Sequence, residues 1–175
     1  LGAPVRVGVA LVNCGEQPIL VPSDLSLKSE YVSGSVSDPG GNLRTFRTLI
    51  HCIDDAQFKA LKPGERIESS MTLMRGAEGA LFGVSGIHEV HVEVHWDLEG
   101  MQAHVAGSAT VMVTAAVDEG HAQAAHKVLT TPDAHLVLVL GGDHLHDGIE
   151  AIQAALASPV LKPHFAVIET KRLAT

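Results

Sequence analysis

The chain has 175 residues, 46% of them apolar, which suits one domain with a sizeable core and an appendage. Its formal net charge is -8, from 12 basic and 20 acidic residues, so it lacks the basic excess that binding to a nucleic-acid backbone requires. The longest apolar run, at residues 136–140, is far shorter than the roughly 20 residues of a membrane-spanning helix, so no membrane span is predicted.

The first predicted strand covers residues 5–13, in which Val5, Val7 and Val9 alternate with residues of the opposite face. The chain begins at Leu1 and shows no charged and then apolar signal peptide, so we expect a segment of a larger protein. Prolines follow at positions 18 and 22. Because proline cannot donate to a strand ladder, a strand within residues 17–22 is predicted to lie at a sheet edge.

Turn residues separate the strands that come next. Asp38-Pro39-Gly40-Gly41 predicts a tight turn, because proline presets φ and glycine accepts positive φ, and Pro63-Gly64 predicts another. The strands expected around these turns cover residues 31–37, 43–53, 67–74, 87–96 and 103–114. The last two are predicted to form a hairpin at Glu99-Gly100.

From residue 117 onward the β-branched alternation gives way to Ala, Leu and His. Thr131-Pro132 and Ser158-Pro159 predict helix starts, because each places a capping hydroxyl before a proline at the first helical position. A further helix is predicted at residues 143–157, because helical spacing puts four apolar residues on one face: Leu145, Ile149, Ile152 and Leu156.

A second interpretation of this tail stays open. Residues 135–140 and 164–168 could be buried strands on either side of that helix, with Gly141-Gly142 as the turn of a β-α-β fragment. Such a fragment would lack neighbouring strands to complete a parallel sheet, so the all-helical tail is favoured.

Two segments carry a family resemblance: Leu61-Lys62-Pro63-Gly64-Glu65, and Leu81-Phe82-Gly83-Val84-Ser85-Gly86-Ile87-His88 before an alternating valine strand. Through them, residues 5–115 resemble the immunoglobulin-like β-sandwich modules of multi-domain bacterial proteins. His88 stands where such modules often carry a tyrosine that ties down the corner. The resemblance implies an antiparallel sandwich in residues 1–116. With a helical extension in residues 117–175, packed on the sandwich or beginning a further domain, the fold class is α+β.

The chain has 11 histidines, and their placement suggests one metal site. On the strand at 87–96, Val90, Val92, Val94 and Trp96 share one face, which leaves Glu93 and His95 on the other. A two-residue loop at Glu99-Gly100 would set His95 directly opposite His104, with Cβ atoms about 4.5 to 5.5 Å apart. The pair, with Glu93 as a third ligand, predicts a weak surface site for Zn²⁺, Ni²⁺ or Cu²⁺. His91 is expected too far along the strand and opposite Ser108.

Three further groups of polar or reactive residues each have a functional and a structural interpretation. Asp143, His144, His146, Asp147 and Glu150 could ligate a metal or form an ordinary acidic first turn of a helix. His121 and His126 are expected to be exposed to solvent. Cys14 and Cys52 allow one disulfide, although Cys52 shares a face with Phe46 and is expected to be a buried thiol.

Catalytic motifs are missing from the sequence. It contains no G-x-G-x-x-G, Walker loop, C-x-x-C, H-E-x-x-H or G-x-S-x-G pattern, so no catalytic or cofactor-binding residue is predicted and the chain is expected not to be an enzyme. We expect a non-catalytic interaction or structural module, whose partner is another protein or a neighbouring domain of the same parent chain. Two alternatives stay open: a protease-inhibitor-like sandwich with an exposed loop at 38–42 or 75–86, and a divalent-metal-binding domain.

Overall fold

The computed structural model describes residues 1–48, 58–98, 100–141 and 143–166. Within these ranges strands come first and helices follow. The strands are β1 Val5–Val12, β2 Ile19–Pro22, β3 Val32–Ser37, β4 Leu43–Arg47, β5 Phe58–Leu61, β6 Arg66–Leu73, β7 Arg75–Gly76, β8 Gly79–Ala80, β9 Gly86–Leu98 and β10 Met101–Val113; the helices are α1 Glu119–Thr130, α2 Pro132–Leu140 and α3 His146–Ala157. This is an α+β arrangement of antiparallel strands followed by helices.

The largest sheet has four antiparallel strands in the order β10-β9-β3-β4. Its long hairpin, β9 and β10, has the predicted register: Trp96 pairs with Ala103 and Leu98 with Met101. The predicted turn at Asp38 joins β3 to β4, with an Asp38 amide to Asn42 carbonyl hydrogen bond of 3.0 Å. The first part of the strand expected at 43–53 forms β4. Residues 49–57, which include Cys52, lie outside the described ranges.

A second antiparallel pair, β1 with β6, packs its apolar side chains into the same core as the four-stranded sheet. The core takes Val7 and Leu11 from β1, Leu73 from β6, and the inward valines of β9. Strand alternation explains this, because apolar residues recur at every second position of β1 and β9 and at the end of β6, and residues two apart point to the same side. The inward face predicted for β9, ending at Trp96, is therefore confirmed.

The proline-flanked segment forms β2, which pairs with β5 in a small two-stranded sheet. Two side chains attach this sheet to the core strands. The Trp96 indole nitrogen donates to the Leu20 carbonyl over 3.1 Å, and the Asn13 amide nitrogen donates to the Leu61 carbonyl over 2.8 Å. β2 spans four residues only.

The helices have a core of their own, formed mainly by α1, α2 and α3. Residues 135–140 belong to α2, so the strand expected there under the β-α-β interpretation is wrong, and residues 164–166 are helical as well. α3 begins at His146 rather than at Asp143. Pro132 opens α2 as predicted, but the Thr131 hydroxyl donates to the Lys127 carbonyl of α1 over 2.7 Å and does not cap α2.

Contacts between the helices and the strands fix their relative position. Met74, which follows β6, is buried in the helical core. The Arg75 guanidinium donates to the Leu129 carbonyl over 3.0 Å. His121 is only 3% exposed, so its expected exposure is wrong, whereas His126 is exposed. The Val117 amide donates to His121 Nδ1 over 3.2 Å, and His121 Nε2 therefore donates to the Leu1 carbonyl over 2.9 Å.

Candidate functional site

The predicted histidine pair lies where the hairpin register places it. His95 of β9 is directly opposite His104 of β10, and both side chains are exposed. The loop that sets this register turns at Gly100, whose φ is 83°, and the Gly100 amide donates to Asp97 Oδ1 over 3.0 Å. Glycine accepts this positive φ without strain.

Glu93, the predicted third ligand, lies between His91 and His104. Its Oε1 is 3.3 Å from His91 Nε2 and its Oε2 is 3.6 Å from His104 Nε2. Within the described ranges no three potential ligand side chains are grouped closely enough to hold a metal ion. The structure therefore brings His104 to Glu93 and sets His95 beside His104 in register, but it does not gather the three around one point.

A polar row crosses the outer face of the hairpin. His91 Nδ1 lies 3.1 Å from the hydroxyl of Ser108, as the register predicts, and His91 Nε2 faces Glu93. This is the order of groups in a hydrolytic triad. The row lies on an outer sheet face, with His91 41% and Glu93 42% exposed, so water competes for each bond. The His91–Ser108 contact is a cross-strand pair, whereas His91 and Glu93 are neighbours two positions apart on the same face of β9.

The second predicted cluster is dispersed. Asp143 precedes the helix, and its Oδ1 lies 3.3 Å from His144 Nε2 at a position where both side chains are almost fully exposed. Glu150 accepts from the Lys127 ammonium of α1 over 2.9 Å, and this hydrogen bond lowers the pKa of Glu150. Glu150 therefore links α1 to α3, and no three of these side chains are grouped closely enough to hold a metal ion in the described ranges.

The two segments predicted as protease-inhibitory loops, residues 38–42 and 75–86, differ in how they are packed. The Asp38 carboxylate closes its own turn by accepting from the Asn42 side-chain amide, the Asn42 backbone amide and the Gly40 backbone amide, each over 2.9 Å, and these bonds lower its pKa to about 2. The segment at 75–86 holds the short β7–β8 hairpin and then buries Leu81 and Phe82 in the core. It is therefore packed along much of its length instead of forming a free loop.

Two further histidines lie inside the protein. His88 is fully buried with its ring 5.4 Å from that of Phe82, and His135 is 4% exposed. Burial lowers the pKa of His135, while a hydrogen bond with the Thr72 backbone acts in the opposite direction. Neither Nε2 has a hydrogen-bond partner among the described residues. Both histidines contribute to packing.

A groove with a volume of about 440 Å³ lies between β1 and β10 in the strand region. Its floor is the inward side of β9, at Val90, Val92 and Val94, and its walls are residues 7–12 of β1 and 105–109 of β10. None of these lining residues is ionisable, and Ser108, the one polar residue among them, directs its hydroxyl to His91 on the outer face. An apolar groove open to water is unfavourable unless it is covered.

Among the residues that the structure describes, β10 is an edge strand. It bonds to β9 on one side and is the last strand of its sheet. Its 13 residues include no Asp, Glu, Lys, Arg or Pro. Val105 is 39% exposed although it points to the core side, and Gly107 and Ala109 on the same side are also exposed. Natural edge strands normally carry charges, prolines or bulges that prevent pairing with another chain.

The prolines of residues 17–22 predict a different edge strand. There β2 is one of the two strands of its sheet, spans four residues and is tethered by the Trp96 indole. The longer open edge is β10. The signal present in the sequence was the scarcity of charge and the many small residues at 103–110.

The chain matches no protein-family model, no curated protein and no solved structure at a significant level. In the ranges that the structure describes, none of the helices combines the length and the apolar character needed to cross a membrane.

Proposed function

We propose that this chain is an immunoglobulin-like sandwich module of a larger protein and that it acts by interaction, not catalysis. The partner would add an extended strand to the open edge of β10 and cover the groove beside it. We therefore propose β10, and not the edge strand predicted at residues 17–22, as the site of strand addition.

This proposal rests on the exposed edge of β10. An unpaired edge strand presents free backbone N–H and C=O groups, and a peptide that pairs with them gains main-chain hydrogen bonds along its length. Alternate side chains of that peptide would face the groove and contact Val7, Val92 and Val105. Since none of the lining side chains is ionisable, the groove favours an uncharged segment with small or aliphatic residues at alternate positions.

The test is binding of fluorescent synthetic peptides, measured by anisotropy, with amide hydrogen exchange to locate them. Peptides that alternate aliphatic and polar residues should bind and slow the exchange of residues 103–111. Scrambled peptides without alternation should bind more weakly. Val105→Lys, which places a charge in the groove, should abolish binding, while Gln17→Lys in an exposed loop should leave it unchanged. Binding that protects other residues, or none at all, would refute the proposal.

A second candidate is supported by the histidines of the hairpin: a divalent-metal-binding surface. His95 and His104 are opposed, and the Glu93 carboxylate lies 3.6 Å from His104, so a rotation of side chains could bring three ligands to one ion. Calorimetric titration with Zn²⁺ and Ni²⁺ would test this. Saturable one-to-one binding that is lost in His104→Ala and kept in His126→Ala, an exposed helical histidine, would support the site. Binding that is weak and unchanged by His104→Ala would exclude it.

A further inference from the structure

We propose that the strand added to β10 is the β10 strand of a second copy of this chain. The two strands would run antiparallel about a two-fold axis and join two four-stranded sheets into one. This inference rests on the proposed function, because it names the partner of the same edge.

The register follows from the groove. The part of β10 that lines it is residues 105–109, whose centre is Gly107. A two-fold axis at Gly107 sets Val105 opposite Ala109 and Ala103 opposite Val111 on the groove side. Each larger side chain then meets a small one across the axis.

The outer face fits the same register. There Ala106 lies opposite Ser108, and His104 lies opposite Thr110. No like charges meet along the strand pair, because β10 contains no Asp, Glu, Lys or Arg. Repulsion between the copies, each with a net charge of -8, therefore arises from charges on other elements, such as Glu93 on the neighbouring strand β9. At physiological ionic strength such repulsion is screened over about 8 Å.

The opposite edge of the sheet explains why pairing would end at two copies. There β4 is covered by the β7–β8 hairpin, and the Glu78 carboxylate accepts from both the Thr45 amide and the Thr45 hydroxyl over 2.9 Å. With one edge covered and one open, each copy can pair only once through this sheet. Pairing of identical open edges gives a closed two-fold dimer, the commonest symmetry of soluble oligomers, and not a fibre.

Gly107 offers a direct test. An ideal Cβ at this position meets no atom within 4 Å, and its φ is not in the left-handed region, so a side chain fits the single copy. In the dimer, two Gly107→Lys side chains would lie together at the axis. Like-charge contact in an interface costs enough to weaken dimerisation by about a hundredfold or more.

The experiment is sedimentation-velocity ultracentrifugation of the 175-residue chain over a range of micromolar concentrations, with circular dichroism to confirm folding. The parent chain and Gln17→Lys, which adds the same charge in an exposed loop, should show a monomer–dimer equilibrium. Gly107→Lys should be a folded monomer. Val105→Lys provides a second variant on the same edge and should behave in the same way.

The outcomes separate this inference from the proposed function. A parent chain that stays monomeric while peptides still bind at β10 overturns the dimer and leaves strand addition standing. A dimer that persists in both lysine variants uses another surface and also overturns the inference. A monomer that binds no peptide overturns both.

Discussion

The two edges of the four-stranded sheet are built differently. β4 has five residues, includes Arg44 and Arg47, and lies beneath the β7–β8 hairpin. β10 has 13 residues without a lysine, arginine or carboxylate, and its groove side is exposed at Val105. Both strands contribute to the same sheet, so the contrast is local to the edges.

The difference shows what it takes to close an edge. At β4, Gly76 lies so close to the Thr45 carbonyl that a Cβ would not fit, and Glu78 satisfies the Thr45 amide. Leu81, after the hairpin, anchors it in the core. β10 has no comparable cover among the described residues. Of the two edges of this sheet, β10 is therefore the one left uncovered among the described residues.

The largest effect is expected when the anchor of the cover is removed. Leu81 is 1% exposed, and Leu81→Ala should lower the free energy of unfolding by about 2 to 5 kcal/mol, because it leaves a cavity in the core. Urea denaturation measures this. Leu43→Ala, at a leucine of β4 that is 60% exposed, should change stability by no more than about 0.5 kcal/mol. Equal losses in the two variants would show that Leu81 does not anchor the hairpin.

A smaller loss is expected from crowding the contact between hairpin and edge. Gly76→Ala should cost about 1 to 3 kcal/mol, because the added methyl group pushes the hairpin away from the Thr45 carbonyl. Thermal denaturation measures the loss. Gly83→Ala is the matched control, since an added Cβ there meets nothing closer than 3.8 Å. If Gly76→Ala were as stable as that control, the close approach would not matter for the fold.

The turn that leads into β4 should give an effect that depends on pH. The native pKa of Asp38 is lowered from 3.8 to about 2, chiefly by hydrogen bonds from Asn42. Its contribution to stability is therefore complete above pH 3.8 and is lost as the pH falls towards 2. Asp38→Asn should melt at a lower temperature than the parent chain at neutral pH, and the difference should shrink through this window.

Glu16→Gln, at an exposed loop carboxylate, serves as the control for that titration. Its melting temperature should follow that of the parent chain at every pH. A difference between Asp38→Asn and the parent chain that stays constant down to pH 2 would contradict the assignment to Asp38.

The smallest expected effect concerns one backbone amide, that of Thr45 at the β4 edge. Glu78→Gln replaces the carboxylate that accepts from the Thr45 amide, so Thr45 should exchange its amide hydrogen faster, with little change in global stability. The hydrogen bond lowers the pKa of Glu78, so the parent chain should lose the same protection as acid protonates that carboxylate. Glu68→Gln, at an exposed carboxylate of β6, should leave Thr45 unchanged.

Much of the local structure could be predicted. Proline and glycine chemistry located the turn at Asp38, and the two-residue loop at Gly100 set the pairing of His95 with His104. The apolar face of β9 followed from alternation. The immunoglobulin-like assignment stays a proposal, because the sheet pairing alone does not establish it.

The sequence by itself determined these local features because they depend on neighbours along the chain: turn residues, strand alternation and the proline that opens α2. Tertiary structure alone decided which strand is left at the edge and which histidines are buried. His121 is enclosed by a bond to Leu1, 120 positions away, and β10 is the last strand of its sheet in the part of the chain that the structure describes. Alternation indicates which way a side chain points, but strand order depends on contacts between residues far apart in the chain, and periodicity carries no record of them.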